Sequence, residues 1–177
     1  MGADVRRAVP ADAAAIARIH VRAWQVAYRG LVPDDVLDGL SVEQWEIGWL
    51  KMISDTESSP ITFVAERDGH VVGFVAHAAP SRDEDAHGRT AEVGAIYVDP
   101  GAWRSGVGSA LMDAALDELR NGSWSELTLW VLAENAGARA FYAHYGFQPD
   151  GAEVLHEQSG QSEIRLRASL KSRAARS

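Results

Sequence analysis

Two glycines one residue apart, Gly106 and Gly108, follow an apolar run and precede an amphipathic stretch, a placement suited to holding an anion. From Ala91 to Met112 the chain reads AEVGAIYVDPGAWRSGVGSALM. The apolar part is rich in Val, Ile and Tyr and stops at Asp99-Pro100; the amphipathic part runs from Ser109 to Arg120. Strand, small-residue loop and helix, in that order, aim unpaired N–H groups outward. The first turn of a helix has four donors without intrahelical acceptors, and the macrodipole adds partial positive charge there. Glycine at 106 and 108 removes the Cβ atoms that would hold a phosphate away from the backbone.

Two familiar cradles do not match. A nucleoside-triphosphate loop closes on Gly-Lys-[Ser/Thr], and no lysine occurs between Lys51 and Lys171. A dinucleotide fingerprint places a third glycine where this chain has Leu111. Taken alone, the Gly-x-Gly is equally compatible with a bland tight turn. The flanks are more specific. Ile96-Tyr97-Val98-Asp99-Pro100, six residues from Pro100 to Gly106, then Gly-Val-Gly-Ser-Ala-Leu, resembles the acyl-CoA-binding motif of the GNAT N-acetyltransferase superfamily. A second block, LWVLAENAGARAFYAHYGF from Leu129 to Phe147, is similar to the later motif of the same superfamily in Asn135, Ala138, Phe141, Tyr142, Gly146 and Phe147. Together the matches cover residues 60 to 148 best.

The resemblance implies a mixed α/β (α+β) GNAT fold: a twisted, mostly antiparallel sheet of about six or seven strands with helices on both faces. It implies acetyl-CoA as co-substrate and a primary amine of a small molecule or peptide N-terminus as acceptor, without a metal. The backbone of Ile96, Tyr97 and Val98 would pair with the pantetheine arm as an added strand. The pyrophosphate would meet Arg104, Ser105, Gly106, Val107, Gly108 and Ser109. Asn135 would hold the arm or cap its helix, and Arg139 and Tyr142 join the cofactor set. One position departs from the pattern: Trp103 stands where the motif carries Gln or Arg. That is tolerable if the position acts through its N–H, and Arg104 could supply the missing charge. Trp24 and Tyr28 are candidates for the acceptor wall, against a plain core role that suits most of the aromatic group Trp24, Tyr28, Trp45 and Trp49.

Acetyl transfer to an amine needs a neutral nucleophile and a proton for the departing thiolate. Lysine-type amines have a pKa near ~10.4 and α-amines near ~8, so a general base raises the reactive fraction. Glu92 is the candidate base, at the offset where several GNAT enzymes carry a strand glutamate. It lies four residues before Ile96 and six before Val98, which by the period of two puts it on their face. The alternative is an exposed strand-start carboxylate without a role. His77 and His144 are rivals, and a glutamate on the following strand is replaced by Trp130. Tyr142 is the candidate acid, since a phenol is protonated at neutral pH and can donate to a thiolate. Tyr145, three residues on, competes for that role.

The rest of the chain bounds these readings. A length of 177 residues suits one domain, assigned to 1–170, with a basic tail at 171–177 expected to be disordered. No apolar run approaches the ~20 residues of a membrane span. The start, MGADVRRAVPADAAA, lacks a signal-peptide core, so the chain reads as cytoplasmic. Zero cysteines remove disulfides, thiolate metal sites and a thiol nucleophile together. A net charge of −8 argues against nucleic-acid partners, while a local nest of amides still accepts an anionic cofactor. A homodimer is compatible with all of this. An idle acyl-CoA sensor and a nucleotide-binding module are the alternatives from other classes.

The spacing predicts these elements in order: a strand at Val5–Arg7, a helix from Pro10 to Tyr28 ended by Gly30 and Pro33, and a helix from Ser41 to Ile53. A polar loop at 55–60 leads to strands at Ile61–Glu66 and Val71–Ala78, joined by an Asp68-Gly69 turn. Residues 80–89 read as a solvated acidic loop before the 90–98 strand, with attraction of a cationic acceptor amine as the secondary reading. After the Ser109–Arg120 helix come a strand at Leu127–Val131, a short helix from Asn135, and a hairpin of 153–156 with Ser162–Arg167.

Overall fold

The structure is a computed structural model that describes residues 2–55, 60–78, 80–155 and 159–170. The basic tail at 171–177, His156 of the last hairpin and the middle of the 55–60 loop lie outside the described residues.

Seven strands form one sheet: β1 (Asp4–Arg7), β2 (Ile61–Arg67), β3 (His70–Ala78), β4 (Thr90–Val98), β5 (Glu126–Leu132), β6 (Gln148–Leu155) and β7 (Ser162–Ser169). Their order is β1-β2-β3-β4-β5-β7-β6, antiparallel at every neighbouring pair except β4 with β5. The β2–β3 turn is built on two left-handed residues, Asp68 (φ 51°) and Gly69 (φ 75°). Among the described residues, five α-helices cover the sheet: α1 (Ala13–Ala27), α2 (Asp34–Asp38), α3 (Val42–Ser54), α4 (Val107–Asn121) and α5 (Ala136–His144). The mixed α/β architecture is the one the sequence implied.

Each face has its own core. On one, α4 buries Val107, Leu111, Met112, Ala115, Leu116 and Leu119 against Val75, Val93 and Leu127. Each larger side chain there contributes roughly 1.5–3 kcal/mol of burial. On the other, Ile16 and Ile19 of α1 and Trp49 of α3 pack on Val64, Phe74 and Ala76.

Two irregularities at β4 make room for a site. The parallel pairing of β4 with β5 covers only Thr90, Ala91 and Glu92 against Glu126, Leu127 and Thr128. Beyond Glu92 the two strands separate, so among the described residues β4 from Val93 onward has no strand neighbour on that side. A bulge also interrupts β3–β4, where Ala76 pairs with Ala95 but His77 pairs with Val93, leaving Gly94 as the extra residue. One extra residue reverses the alternation of side chains. Ala91 and Val93 therefore share the α4 face with Ile96 and Val98, while Ala95 and Tyr97 belong to the α1–α3 face. Glu92 falls on the side of Ala95 and Tyr97. The sequence expectation that it shares a face with Ile96 and Val98 is thus corrected, because strict period-two counting does not see the bulge.

Other departures are local. Helix α1 begins at Ala13 after a 3-10 turn over Pro10–Asp12. Asp12 accepts from the Val9 N–H at 2.8 Å and pairs with Arg6, compensating for the poor capping residue at 9. Helix α2 was not anticipated, being a single turn started by Pro33. Strand β6 starts five residues early, absorbing Pro149 through an irregular register against β7.

Candidate active site

Where β4 and β5 part, a cleft of ≈ 1320 Å³ opens through the structure. One end is closed by the loop entering α4 and by α5, and the other by aromatic residues of α1 and α3.

The loop end is made of backbone. Gly106 sits at the N-cap of α4 with φ 83°, a conformation that costs a residue bearing Cβ, and Arg104 also has positive φ (55°). Among the described residues, no backbone carbonyl accepts from the N–H groups of residues 104–109 outside the helix, whereas Ala110 N–H donates to the Gly106 carbonyl at 3.0 Å. Consecutive unpaired N–H groups in such a turn form an anion-binding nest. Arg104, Gly106, Gly108 and Ser109 line the cleft, and the Val107 side chain is buried in the core below them. Ser105 lies outside the lining, its hydroxyl donating to the Ala102 carbonyl (2.6 Å) and accepting from Arg67 (3.0 Å). Trp103 donates its indole N–H to the Val98 carbonyl at 2.8 Å, so this side chain fastens the loop to the end of β4. Ile96, Tyr97 and Val98 run along the lining between this loop and the aromatic end.

Helix α5 brings two motif residues to the cleft. Asn135 caps it, accepting from the Ala138 N–H at 3.1 Å, and also lines the cleft. Tyr142 is buried on the same lining, and burial raises its phenol above the ordinary tyrosine range. Tyr145 is not on the lining; its hydroxyl donates to the Ser109 carbonyl at 3.2 Å. Arg139 points elsewhere, donating to the Ala133 carbonyl at 2.9 Å.

Glu92 is buried, not an exposed strand-start carboxylate. It accepts from the Ser81 hydroxyl (3.2 Å), the Arg82 N–H (3.3 Å) and, in close contact, the Arg82 Nε. The loop providing Ser81 and Arg82 is the acidic 80–89 segment, and it is not simply solvated. Asp83 accepts from the Trp130 indole at 3.0 Å and from the Thr128 hydroxyl at 3.3 Å. Arg165, a buried guanidinium on β7, binds Asp85 at 2.5 Å and 2.7 Å, Asp150 at 2.8 Å and Asp83 at 3.3 Å.

At the opposite end, Trp24 and Tyr28 line the cleft and meet edge-to-face at 5.0 Å. Between them and α3 sits His20, which the sequence reading did not single out. It is stacked on Tyr97 at 4.6 Å and lies 4.0 Å from the Trp45 ring. Its Nδ1 accepts from the Trp49 indole at 3.2 Å, and burial lowers its pKa to about 4, so it is neutral at physiological pH. The available signal was its place four residues after Ile16 and four before Trp24 on the inward face of α1. His77 and His144 leave the contest. His77 is buried away from the cleft on β3, with both ring nitrogens unpartnered among the described residues, and His144 is exposed off the lining.

Comparison with known proteins agrees with this geometry. A family model described as "Acetyltransferase (GNAT) family" matches residues 15–147. An uncharacterised N-acetyltransferase of Bacillus subtilis, YuaI, is 32% identical over 142 residues, covering 80% of this chain and 78% of the relative. A mycothiol acetyltransferase of Beutenbergia cavernae is 46% identical over 71 residues, a stretch that spans only 23% of that longer protein. In three dimensions, the PaiA N-acetyltransferase of Thermoplasma acidophilum, solved in complex with coenzyme A, superposes with a TM-score of 0.78 at 17% identity. That alignment covers 93% of this chain and 98% of the other.

Proposed function

The chain belongs to the GNAT acetyltransferase family, and we propose that it takes its acetyl group from acetyl-CoA and passes it directly to a primary amine of a small molecule or peptide N-terminus. The observation that carries this reading is the continuity of the cleft. An unpaired stretch of β4 edge runs from an aromatic chamber to a nest of free N–H groups at the start of α4.

The residues fit the cofactor. The nest over 104–109 is the part suited to a pyrophosphate, and the open edge at Ile96–Val98 can take an extended amide-bearing arm by main-chain hydrogen bonds. The Val98 carbonyl already accepts from Trp103, which leaves its second lone pair for that purpose. A bound acetyl thioester supplies an electrophilic carbonyl and a thiolate leaving group.

The remaining chemistry belongs to this chain. A main-chain N–H of the open β4 edge stabilises the negative charge that develops on the carbonyl oxygen. Tyr142, held protonated by burial, donates its proton to the leaving sulfur. Tyr145 is a poorer acid because its hydroxyl is committed to Ser109. Glu92 removes the proton from the acceptor amine through water, since Ser81 and Arg82 occupy its direct surroundings. Trp24 and Tyr28 belong to the acceptor wall. Residues 1–170 act as one domain.

The test is thiol release from acetyl-CoA against a broad amine panel, with mass spectrometry of the acceptor. Release coupled to an acetylated amine supports the proposal. The occupied Glu92 favours one competing reading, an idle acyl-CoA sensor; CoA binding with no release across the panel would establish it.

A further inference from the structure

The acceptor side of the cleft carries a contact ion pair. Arg82 donates from Nε to the buried Glu92 carboxylate, while the rest of its guanidinium remains exposed and on the cleft lining. Its terminal nitrogens make no hydrogen bond to any described residue. The position is built. A Cβ on Gly94, the bulge residue, would stand 3.0 Å from Arg82 Nη2, so the guanidinium lies directly over the backbone of β4 where the two strands part.

The loop that presents Arg82 is also clamped. The following residues Asp83 and Asp85 are held by Arg165, whose side chain is 7% exposed, and Asp83 also takes the Trp130 and Thr128 donors. An arginine on a free surface loop would sample many positions. This one is tethered at its backbone N–H by Glu92, at its Nε by the same carboxylate, and at the next residue by the Arg165 network.

We propose that Arg82 binds a carboxylate of the acceptor, and that the acceptors of this enzyme are therefore free α-amino acids. The inference rests on the acetyl-transfer reading above. A carboxylate and a guanidinium in contact are the complement of a ligand whose ammonium and carboxylate are joined through one carbon. Glu92, its carboxylate already held by Ser81 and Arg82, reaches the amino group through water, and the free edge of Arg82 meets the carboxylate in the fork geometry that suits a planar anion. The remainder of the chamber, His20, Trp24, Trp45 and Tyr97, is aromatic, and His20 is neutral in it. That wall suits an apolar or aromatic side chain. A peptide N-terminus lacks the α-carboxylate at this position and would leave the guanidinium unanswered.

The experiment compares each standard L-amino acid with its own amide as acceptor, in the full chain with acetyl-CoA, reading kcat and KM separately. The expected result is that apolar and aromatic amino acids are turned over, with kcat/KM at least about tenfold above their amides and the difference in KM, the range of a charge-assisted hydrogen-bonded pair. In Arg82→Gln that ratio should fall to about one, and Arg82→Lys, which keeps the charge and loses the fork, should recover part of it. Amides used as well as the acids, or a ratio unchanged in a folded Arg82→Gln variant, overturns the assignment of Arg82. Acetylation of simple amines with no amino acid accepted overturns it while leaving the acetyltransferase reading intact. Absence of thiol release with every amine removes both.

Discussion

At the loop end of the cleft, recognition is written in main chain: a left-handed Gly106, a run of free N–H groups and an open strand edge. At the aromatic end it is written in side chains that arrive from α1, α3, β4 and the 80–89 loop. The first end depends on local backbone geometry, which a short motif can specify. The second depends on how distant segments pack. If the proposed assignment holds, the cofactor end can be retained while the acceptor end changes, because they are built from different parts of the cleft lining. Tyr142 and the β4 edge lie at the junction.

The sharpest way to probe that division is at the junction. Tyr142→Phe keeps the ring and its packing and removes the proton meant for the leaving sulfur. It should lower kcat by about 10²-fold or more while CoA affinity stays nearly constant, measured by steady-state kinetics and calorimetry in parallel. Full activity would assign the acid role to Tyr145 or water. Glu92→Gln acts on the acceptor side only. Its loss should be largest with acceptors whose amine pKa is near ~10 and smaller for peptide α-amines near ~8, of which about one in ten is already neutral at pH 7. A pH–rate series with two such acceptors checks this, and equal losses for both would remove Glu92 as the base.

Trp103→Ala probes how far the loop end is backbone alone. It removes the bond to the Val98 carbonyl and should weaken CoA binding by no more than about tenfold, or about 1.4 kcal/mol. A larger loss in a folded protein would mean the indole itself packs on the ligand.

The difference between the two ends also explains what could be read from the sequence. The Gly-x-Gly loop, its preceding strand and the Asn135–Phe147 block are contiguous, so the fold and the elements at the loop end of the cleft were readable from the sequence. Glu92 stood out as a candidate base or an exposed strand-start carboxylate; it is buried, and it lies on the other face, because nothing in the pattern of residues 91–98 announces a bulge at Gly94. Arg82 and His20 were missed for another reason. The 80–89 segment reads as a solvated acidic loop until Arg165, 80 residues after Asp85, folds back to neutralise it. His20 becomes part of a site only when Trp45, Trp49 and Tyr97 surround it.

A further effect is expected on stability, carried by two buried histidines, His77 outside the cleft and His20 at its aromatic end. Burial lowers His77 from 6.5 to about 4, and His20 likewise. Between those values the unfolded chain binds more protons than the folded one, so stability is complete above pH 6.5 and declines as pH falls toward 4. The loss is at most about 3 kcal/mol per histidine by linkage. His77→Leu removes one of these contributions together with two buried unpartnered nitrogens. It should stabilise the protein by roughly 1–3 kcal/mol at neutral pH and flatten the acid side of its Tm profile, with catalysis untouched. A destabilised variant would show that the ring nitrogens of His77 are satisfied in solution.

Whether the start of α4 holds the phosphates of acetyl-CoA through its backbone is decided by calorimetric titration of CoA into the wild type and Gly108→Val. Gly108 does not have positive φ, and a Cβ there would meet Phe141 and Val98 at an ordinary 3.7–3.8 Å, so the variant should fold. The added branch would stand in the space between the first turn of α4, the end of β4 and α5. The expected result is an affinity loss of about tenfold or more, equivalent to at least about 1.4 kcal/mol. Unchanged affinity in the folded variant would contradict it.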